Sequence, residues 1–167
     1  MTADLDNCRR TVRRRAFTNL ILVLLEEARR TAGRLAVESC SSDALLLRYR
    51  DVRTLVRLGA LFALAPRDFT LVLACPPGWP FEREAALMPV VVQPHDFAHA
   101  NSDGHTFCLD LMGVVPERVP ALLYDNVRLH SFRLDHCVDR EAADFVRAHL
   151  TEFPADPRPL YPAEEKR

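Results

Sequence analysis

The chain contains almost no lysine and no long apolar run. Of its 22 lysine and arginine residues, Lys166 is the only lysine. No apolar stretch approaches the roughly 20 residues that an α-helix needs to span a bilayer. The net charge of -1 at pH 7 excludes the overall basic field that is typical of nucleic-acid-binding proteins. We therefore expect no membrane and no nucleic acid among the partners.

Two explanations fit the scarcity of lysine. Alanine, arginine, leucine and valine are abundant, as is typical of a GC-rich genome, and this bias alone would replace lysine by arginine. A protein that handles an activated acyl group would also avoid surface amines, because such amines would be modified by mistake. The sequence leaves both explanations open.

The cysteines show no pairing pattern. There are five, an odd number without a CxxC pair, so neither a disulfide framework nor a zinc ribbon is indicated. A Gly-rich phosphate loop and a GxSxG elbow are also missing, so the sequence indicates no metal and no cofactor. The run Leu20 to Leu25 is short and continues into Glu26 and Glu27, which is typical of an amphipathic helix and not of a signal peptide. We expect a cytoplasmic protein.

The first part of the chain has the period of an α-helix. Apolar residues at helical spacing between Asn7 and Ala32 predict a long amphipathic helix that Gly33 ends. Its beginning is rich in arginine. The total length of 167 residues suits one domain with one core. The apolar positions of the predicted helix are Val12, Phe17, Leu20, Ile21, Leu24, Leu25 and Ala28.

Short segments rich in Leu, Val and Phe follow and predict an antiparallel meander. Residues 41–43, 51–53 and 65–68 provide the turns between them. Beyond the meander, Pro120–Cys137 and Arg140–Phe153 again have helical period, and a proline-rich tail begins at about residue 154. Helices that are segregated from a sheet predict an α+β fold. The predicted strand segments are Leu35–Val37, Ala44–Tyr49, Thr54–Leu64, Phe69–Ala74 and Met88–Gln93.

Cys108 lies where a polar loop enters an apolar segment, in the run Gly104–Leu111. Donors and bases close to a sulfur favour a reactive thiolate. A buried structural cysteine at the start of a strand is the alternative, because free cysteines are often buried. The loop opens at Pro94 and provides His95, His99, Asn101, Asp103 and His105.

A second motif, Cys75–Phe81, ends the strand before it abruptly. Three prolines and a glycine form a rigid turn, and Trp79 is expected to pin this turn onto the core. The turn, then His99-Ala100-Asn101, then Cys108-Leu109-Asp110 follow one another in an order that resembles the ubiquitin-conjugating enzyme family. The resemblance extends from the first helix to the helix before the tail.

This resemblance implies a single UBC-like domain over residues 1–167, with an N-terminal helix and C-terminal helices packed on the meander. It implies that Cys108 accepts a ubiquitin-like protein from an activating enzyme as a thioester and transfers it to an amine of a protein target. Asn101, after His99, would be the donor to the oxyanion, although Ala100 replaces the family's proline. Divergent bacterial relatives belong to antiviral defence systems, so the same context is implied here.

The resemblance also implies partner contacts and a proton acceptor. The first helix docks the activating enzyme in the family, and the turn after the fourth strand segment, Phe69–Ala74, is where relatives often meet a ligase. Asp139 best fits the carboxylate that takes the proton of the incoming ammonium. An N-cap ahead of Arg140 is the structural alternative for Asp139. The implied partner-binding residues are Arg9, Arg10, Arg13, Arg14, Trp79 and Phe81.

Three other hypotheses remain open. His95, His99, His105 and Cys108 are ligand types that zinc binds, although their spacing matches no common finger. A cysteine hydrolase with His99 or His105 as its base would leave the Trp79 turn unexplained. A UBC-like scaffold that binds partners without catalysis is the third hypothesis, and the altered His-Ala-Asn run favours it.

Overall fold

The structure, a computed structural model, describes residues 2–82, 85–106, 114–128, 137–149, 151 and 158–161. It is an α+β fold with an N-terminal helix, a four-stranded antiparallel sheet in the order β1-β2-β3-β4, and C-terminal helices. The predicted meander is confirmed at this level. The elements are α1 (Thr2–Arg30), β1 (Leu35–Cys40), β2 (Ala44–Leu58), β3 (Leu61–Ala74), β4 (Met88–Gln93), a 3₁₀-helix (Pro116–Arg118), α2 (Val119–Val127) and α3 (Arg140–His149).

Helix α1 packs on the sheet through its second half. Phe17, Leu20 and Leu24 are buried at the three- and four-residue spacing that places side chains on one helical face. Leu25, which the sequence analysis placed on the apolar face, is 41% exposed. The helix ends before Gly33, whose φ of +83° lies in the left-handed region that favours glycine. The arginine-rich first half of the helix is left largely at the surface.

Strands β2 and β3 are longer than the sequence predicted, because each contains residues that were predicted to form a turn. Strand β2 continues through Asp51, which has a φ of +50° and lies within a register shift against β3. Such a bulge absorbs one extra residue without ending the strand. Strand β3 continues through Pro66, which pairs in register with Arg53 of β2 without a bulge. The turn instead lies at Gly59 and Ala60, inside the segment Thr54–Leu64 that was predicted as one strand.

The main core lies between α1, α2 and one face of the sheet, and all four strands contribute buried residues to it. Two buried hydroxyls join the layers, since Tyr49 donates to Pro120 O over 2.9 Å and Thr54 donates to Val127 O. Trp79 is half-buried and packs against this core, which confirms the role predicted for it. These contacts fix the positions of α2 and of the turn after β3.

The end of the described chain packs onto the main core. Leu160 is 4% exposed. Arg158 donates to Asp51 Oδ2 and to Asp51 O, each over 2.6 Å, while Tyr124 donates to Arg158 O over 3.0 Å. In its described residues, the proline-rich tail is therefore part of the folded body.

A second, smaller core lies under α3. Its buried residues are Leu55, Ala98, Ala142 and Val146. Phe62 and other half-buried apolar residues of the β2–β3 hairpin pack against it. Among the described residues, no helix is both long and apolar enough to cross a membrane.

Candidate functional site

The loop after β4 crosses the sheet from one edge to the other. Phe97 forms an isolated antiparallel bridge with Val56 of β2, and the Ala98 N–H donates to Leu55 O over 3.0 Å. The chain then returns, because Thr106 forms a second bridge with Val90 of β4. Both ends of the loop are therefore held by backbone pairing to strands.

A turn built on Asp103 fixes the returning end of this loop. Its Oδ1 accepts hydrogen bonds from the N–H of Thr106 over 2.7 Å and the N–H of His105 over 2.8 Å. These two bonds hold the pKa of the Asp103 carboxyl below its usual range. Cys108, the predicted nucleophile, lies two positions after Thr106 and is outside the described residues.

His99 and Asn101 lie in the interior of the loop. The His99 ring is fully buried and stacks on Phe97 with ring centroids 6.0 Å apart. Its Nδ1 accepts the backbone N–H of Asn101 over 3.0 Å, so in the neutral ring this bond assigns the proton to Nε2. His99 thus holds the backbone at Asn101 in place. Asn101 itself is 7% exposed.

The residue between them connects the loop to α3. Ala100 is fully buried, and its carbonyl accepts hydrogen bonds from the N–H groups of Val138, over 2.7 Å, and Asp139, over 3.2 Å. The structure therefore brings the predicted His99, Asn101 and Asp139 into one region. The connection is a backbone contact, which no side-chain motif in the sequence could have shown.

Asp139 is the N-cap residue of α3. Its Oδ1 accepts the Ala142 N–H over 3.0 Å, which is the N-cap alternative that the sequence offered. Its Oδ2 accepts from Arg57 Nη2 over 2.9 Å, and Arg57 also binds Glu141 over 2.5 Å. Both carboxylate oxygens are thus engaged. The role of Asp139 as a proton acceptor stays a prediction.

A cavity of about 730 Å³ lies between this loop, the end of β2 and the start of α3; we call it the loop–α3 cavity. Neither His99 nor Asn101 is among the described residues that line it. Charged side chains and histidines predominate in its wall, so it suits a polar ligand. It is lined by Arg57, Gly59, His95, Asp96, Phe97, Ser102, Asp103, Gly104, His105, Val138, Asp139, Arg140 and Glu141.

The histidines of the loop do not converge on a metal position. Within the described ranges, no three His, Cys, Asp or Glu side chains are placed to hold one metal ion. His95, His99 and His105 all belong to these ranges, while Cys108 does not. The zinc hypothesis therefore has no support from the three histidines.

Four of the six residues predicted as partner contacts, Arg9, Arg10, Arg13 and Phe81, line a second cavity of about 260 Å³, whereas Arg14 and Trp79 do not. We call it the arginine groove, since Arg9, Arg10 and Arg13 form one side and the Pro77–Glu82 turn forms the other. Arg13 Nη2 donates to Cys75 O over 2.8 Å, which joins the helix to the turn. Two motifs that lie far apart in the sequence thus form one surface.

Within the arginine groove, apolar and charged groups lie side by side. Phe81 is 47% exposed, so a bound partner could cover it. Arg14 is exposed on the same helix but does not line the groove. Burial raises the pKa of the Cys75 thiol to about 12, which keeps it protonated and unreactive at neutral pH.

Comparisons with protein-family models, with curated proteins and with solved structures gave no match to this chain.

Proposed function

We propose that the chain is a ubiquitin-conjugating-type enzyme, with a UBC-like fold, that acts in bacterial antiphage defence. The observation that supports this proposal best is the arrangement around the loop after β4, which carries His99 and Asn101. A helix and a four-stranded meander precede the loop, and its last described residue, Thr106, is paired to β4 two positions before Cys108. This is the element order on which the sequence resemblance rests.

The proposed reaction has two acyl transfers. The Cys108 thiolate attacks the thioester carbonyl that joins an activating enzyme to a ubiquitin-like protein; a new C–S bond forms and the cysteine thiolate of the activating enzyme leaves. An amine of the target, such as a lysine, then attacks the new thioester and expels the Cys108 thiolate. The nitrogen loses a proton and an amide remains, so neither metal nor redox partner is required.

The described residues would assist the second transfer. Asn101, whose backbone His99 holds, would donate to the oxyanion, and the loss of such a donor raises the barrier by about 3 kcal/mol. Asp139 would accept the proton. Since its carboxylate already binds Arg57 and caps α3, substrate binding would have to loosen the ion pair first.

The arginine groove would dock the activating enzyme. Its cations and the exposed Phe81 suit a partner surface that combines carboxylates with an apolar side chain. Arg10→Glu should therefore slow thioester formation at low salt by about tenfold or more. Arg29→Glu, which reverses an exposed charge at the other end of α1, is the matched control. Equal rates for the two variants would exclude the groove as the docking surface.

A thioester assay tests the function itself. Wild type, Cys108→Ser and Cys108→Ala are incubated with a cognate activating enzyme, its ubiquitin-like protein and ATP, and analysed on gels with and without reductant. We expect a reductant-sensitive adduct on wild type, a resistant ester on Cys108→Ser and none on Cys108→Ala. An adduct that persists on Cys108→Ala would assign the acyl group to another residue and overturn the proposal.

The burial of Asn101 favours a second candidate, a non-catalytic scaffold. An amide that is 7% exposed does not face solvent as a donor to an incoming carbonyl would, and both oxygens of Asp139 are engaged. A scaffold would bind the activating enzyme or the ubiquitin-like protein without forming an adduct. The same assay distinguishes the two, since a pull-down without any thioester on wild type would indicate the scaffold.

A further inference from the structure

Four carboxylates line the loop–α3 cavity, and each of them already binds a partner within the chain. Asp96 accepts three contacts of 2.7 to 3.3 Å from the guanidinium of Arg67. Asp139 and Glu141 share Arg57. Asp103 accepts backbone N–H groups in its own turn. A cationic ligand would have to displace these internal partners, and this costs free energy.

Three other side chains in the same wall make no such hydrogen bond or ion pair among the described residues, although His105 lies close enough to Asp103 to help lower the pKa of that carboxyl. His95, His105 and Arg140 line the cavity and are exposed. Within the described part of the chain, none of the three donates a side-chain hydrogen bond or forms an ion pair. They come from the start of the loop, its end and the first residue of α3, so they surround the cavity from separate elements. Their ring and guanidinium N–H groups are donors to anions.

We propose that the loop–α3 cavity binds an oxyanion, a phosphate or a carboxylate, through His95, His105 and Arg140. The four carboxylates in the wall keep part of their negative charge, which weakens the attraction for an anion, but their oxygens are occupied by Arg57, Arg67 and backbone N–H groups. Arg140 and the two imidazoles are therefore left as donors. An oxyanion would gain a planar, bidentate donor from Arg140 and one donor from each imidazole. The site does not depend on the thioester chemistry proposed above.

The test uses the full chain and inorganic phosphate at about pH 6.5, within the range where histidine side chains titrate. The imidazole C–H resonances of His95 and His105 should shift saturably in NMR spectra. His149, at the other end of α3, is the internal reference, since a helix of this length places it about 13 Å from Arg140. A short peptide with one glutamate, compared with its glutamine counterpart, tests the carboxylate source.

Variants decide whether these residues hold the anion. Arg140→Ala, read at both imidazoles, and the single variants His95→Ala and His105→Ala, each read at the histidine that remains, should each weaken binding by about tenfold or more, as expected for lost charge-assisted hydrogen bonds. Arg147→Ala, which removes an exposed guanidinium paired with Asp144 on the same helix, should leave the affinity unchanged. The proposal is overturned if phosphate and the glutamate peptide produce no saturable shift, or if methylammonium binds and they do not. The thioester assay is read separately, so the failure of one proposal leaves the other standing.

Discussion

The two cores of the molecule differ in size and in what holds them together. Among the described residues, the main core contains twenty buried residues from α1, α2, the sheet with its connecting loops, and the C-terminal segment, and buried hydroxyls of Tyr49 and Thr54 join its layers. The core under α3 contains four buried residues in the same described part of the chain. Its helix is otherwise held by the ion pairs of Arg57 at the surface and by two hydrogen bonds to Ala100 O.

This difference in packing indicates which of the two candidate sites lies in the less stable part of the molecule. The arginine groove lies beside the main core, and the loop–α3 cavity lies beside the small one. Regions with few buried apolar contacts open locally at lower free energy than the rest of a protein. We therefore expect the turn side of the arginine groove, where Trp79 packs on the main core, to be more rigid than its exposed α1 side and than the loop–α3 cavity.

The largest effect should come from the main core. Leu24→Ala removes a fully buried side chain and should lower the free energy of unfolding by about 2 to 5 kcal/mol, through lost burial and a residual cavity. Denaturant titration measures this loss. Leu25→Ala is the matched control, because the neighbouring leucine is 41% exposed. Similar losses for the two variants would mean that α1 packs through a different face.

A smaller and more local effect is expected in the core under α3. Val146→Ala removes two methyl groups from a buried position and should cost about 1.5 kcal/mol. Hydrogen exchange should show faster opening of α3, while the amides of β2 and β3 near the main core stay protected. Val138→Ala, at an exposed position, is the control. A uniform loss of protection over both regions would show that the two cores unfold as one.

The Asp139 carboxylate tests what fixes α3 to the loop. Asp139→Ala removes the N-cap bond and the ion pair with Arg57, and should cost about 1 kcal/mol. Asp139→Asn keeps an oxygen for the cap but loses the charge, so it should cost less. Arg57→Met removes both ion pairs and the cation–π contact of the guanidinium with Phe62, and the partial exposure of these groups limits the loss to below about 1 kcal/mol. Equal losses for Asp139→Ala and Asp139→Asn, measured by thermal unfolding, would assign the effect to charge.

The sequence predicted much of the fold, because side-chain periodicity records which face is buried. Phe17, Leu20 and Leu24 were found as one helical face, and β4 was predicted at Met88–Gln93 with the bounds that the structure shows. Turn-forming residues were less informative. The bulge at Asp51 absorbs a residue that suggested a turn, and Pro66 lies in a strand, since sheet pairing outweighed local preference.

The sequence suggested candidate residues one by one, and their roles stay predictions, but it did not show which of them lie close together. The family resemblance named His99, Asn101 and Asp139, whereas their proximity depends on the carbonyl of Ala100, and every residue has a carbonyl. The arginine groove escaped prediction for a similar reason, since Arg13 binds Cys75 through a backbone oxygen. Side-chain patterns contain no information about such backbone contacts.

The smallest expected effect lies in the Asp103 turn, and it depends on pH. Hydrogen bonds from the N–H groups of Thr106 and His105 lower the pKa of Asp103 in the folded state. The carboxylate therefore stabilises the turn above the ordinary aspartate pKa of about 3.9, and this stabilisation is lost as pH falls through the lowered pKa. As the pH falls through this lowered pKa, amide exchange at His105 and Thr106 should accelerate more than amide exchange elsewhere in the described part of the chain. Asp103→Asn should exchange faster already at neutral pH and show no such step. A step of equal size in Asp103→Asn would assign it to another group, and the entry of the chain into the Cys108 segment would then depend on the β4 bridge alone.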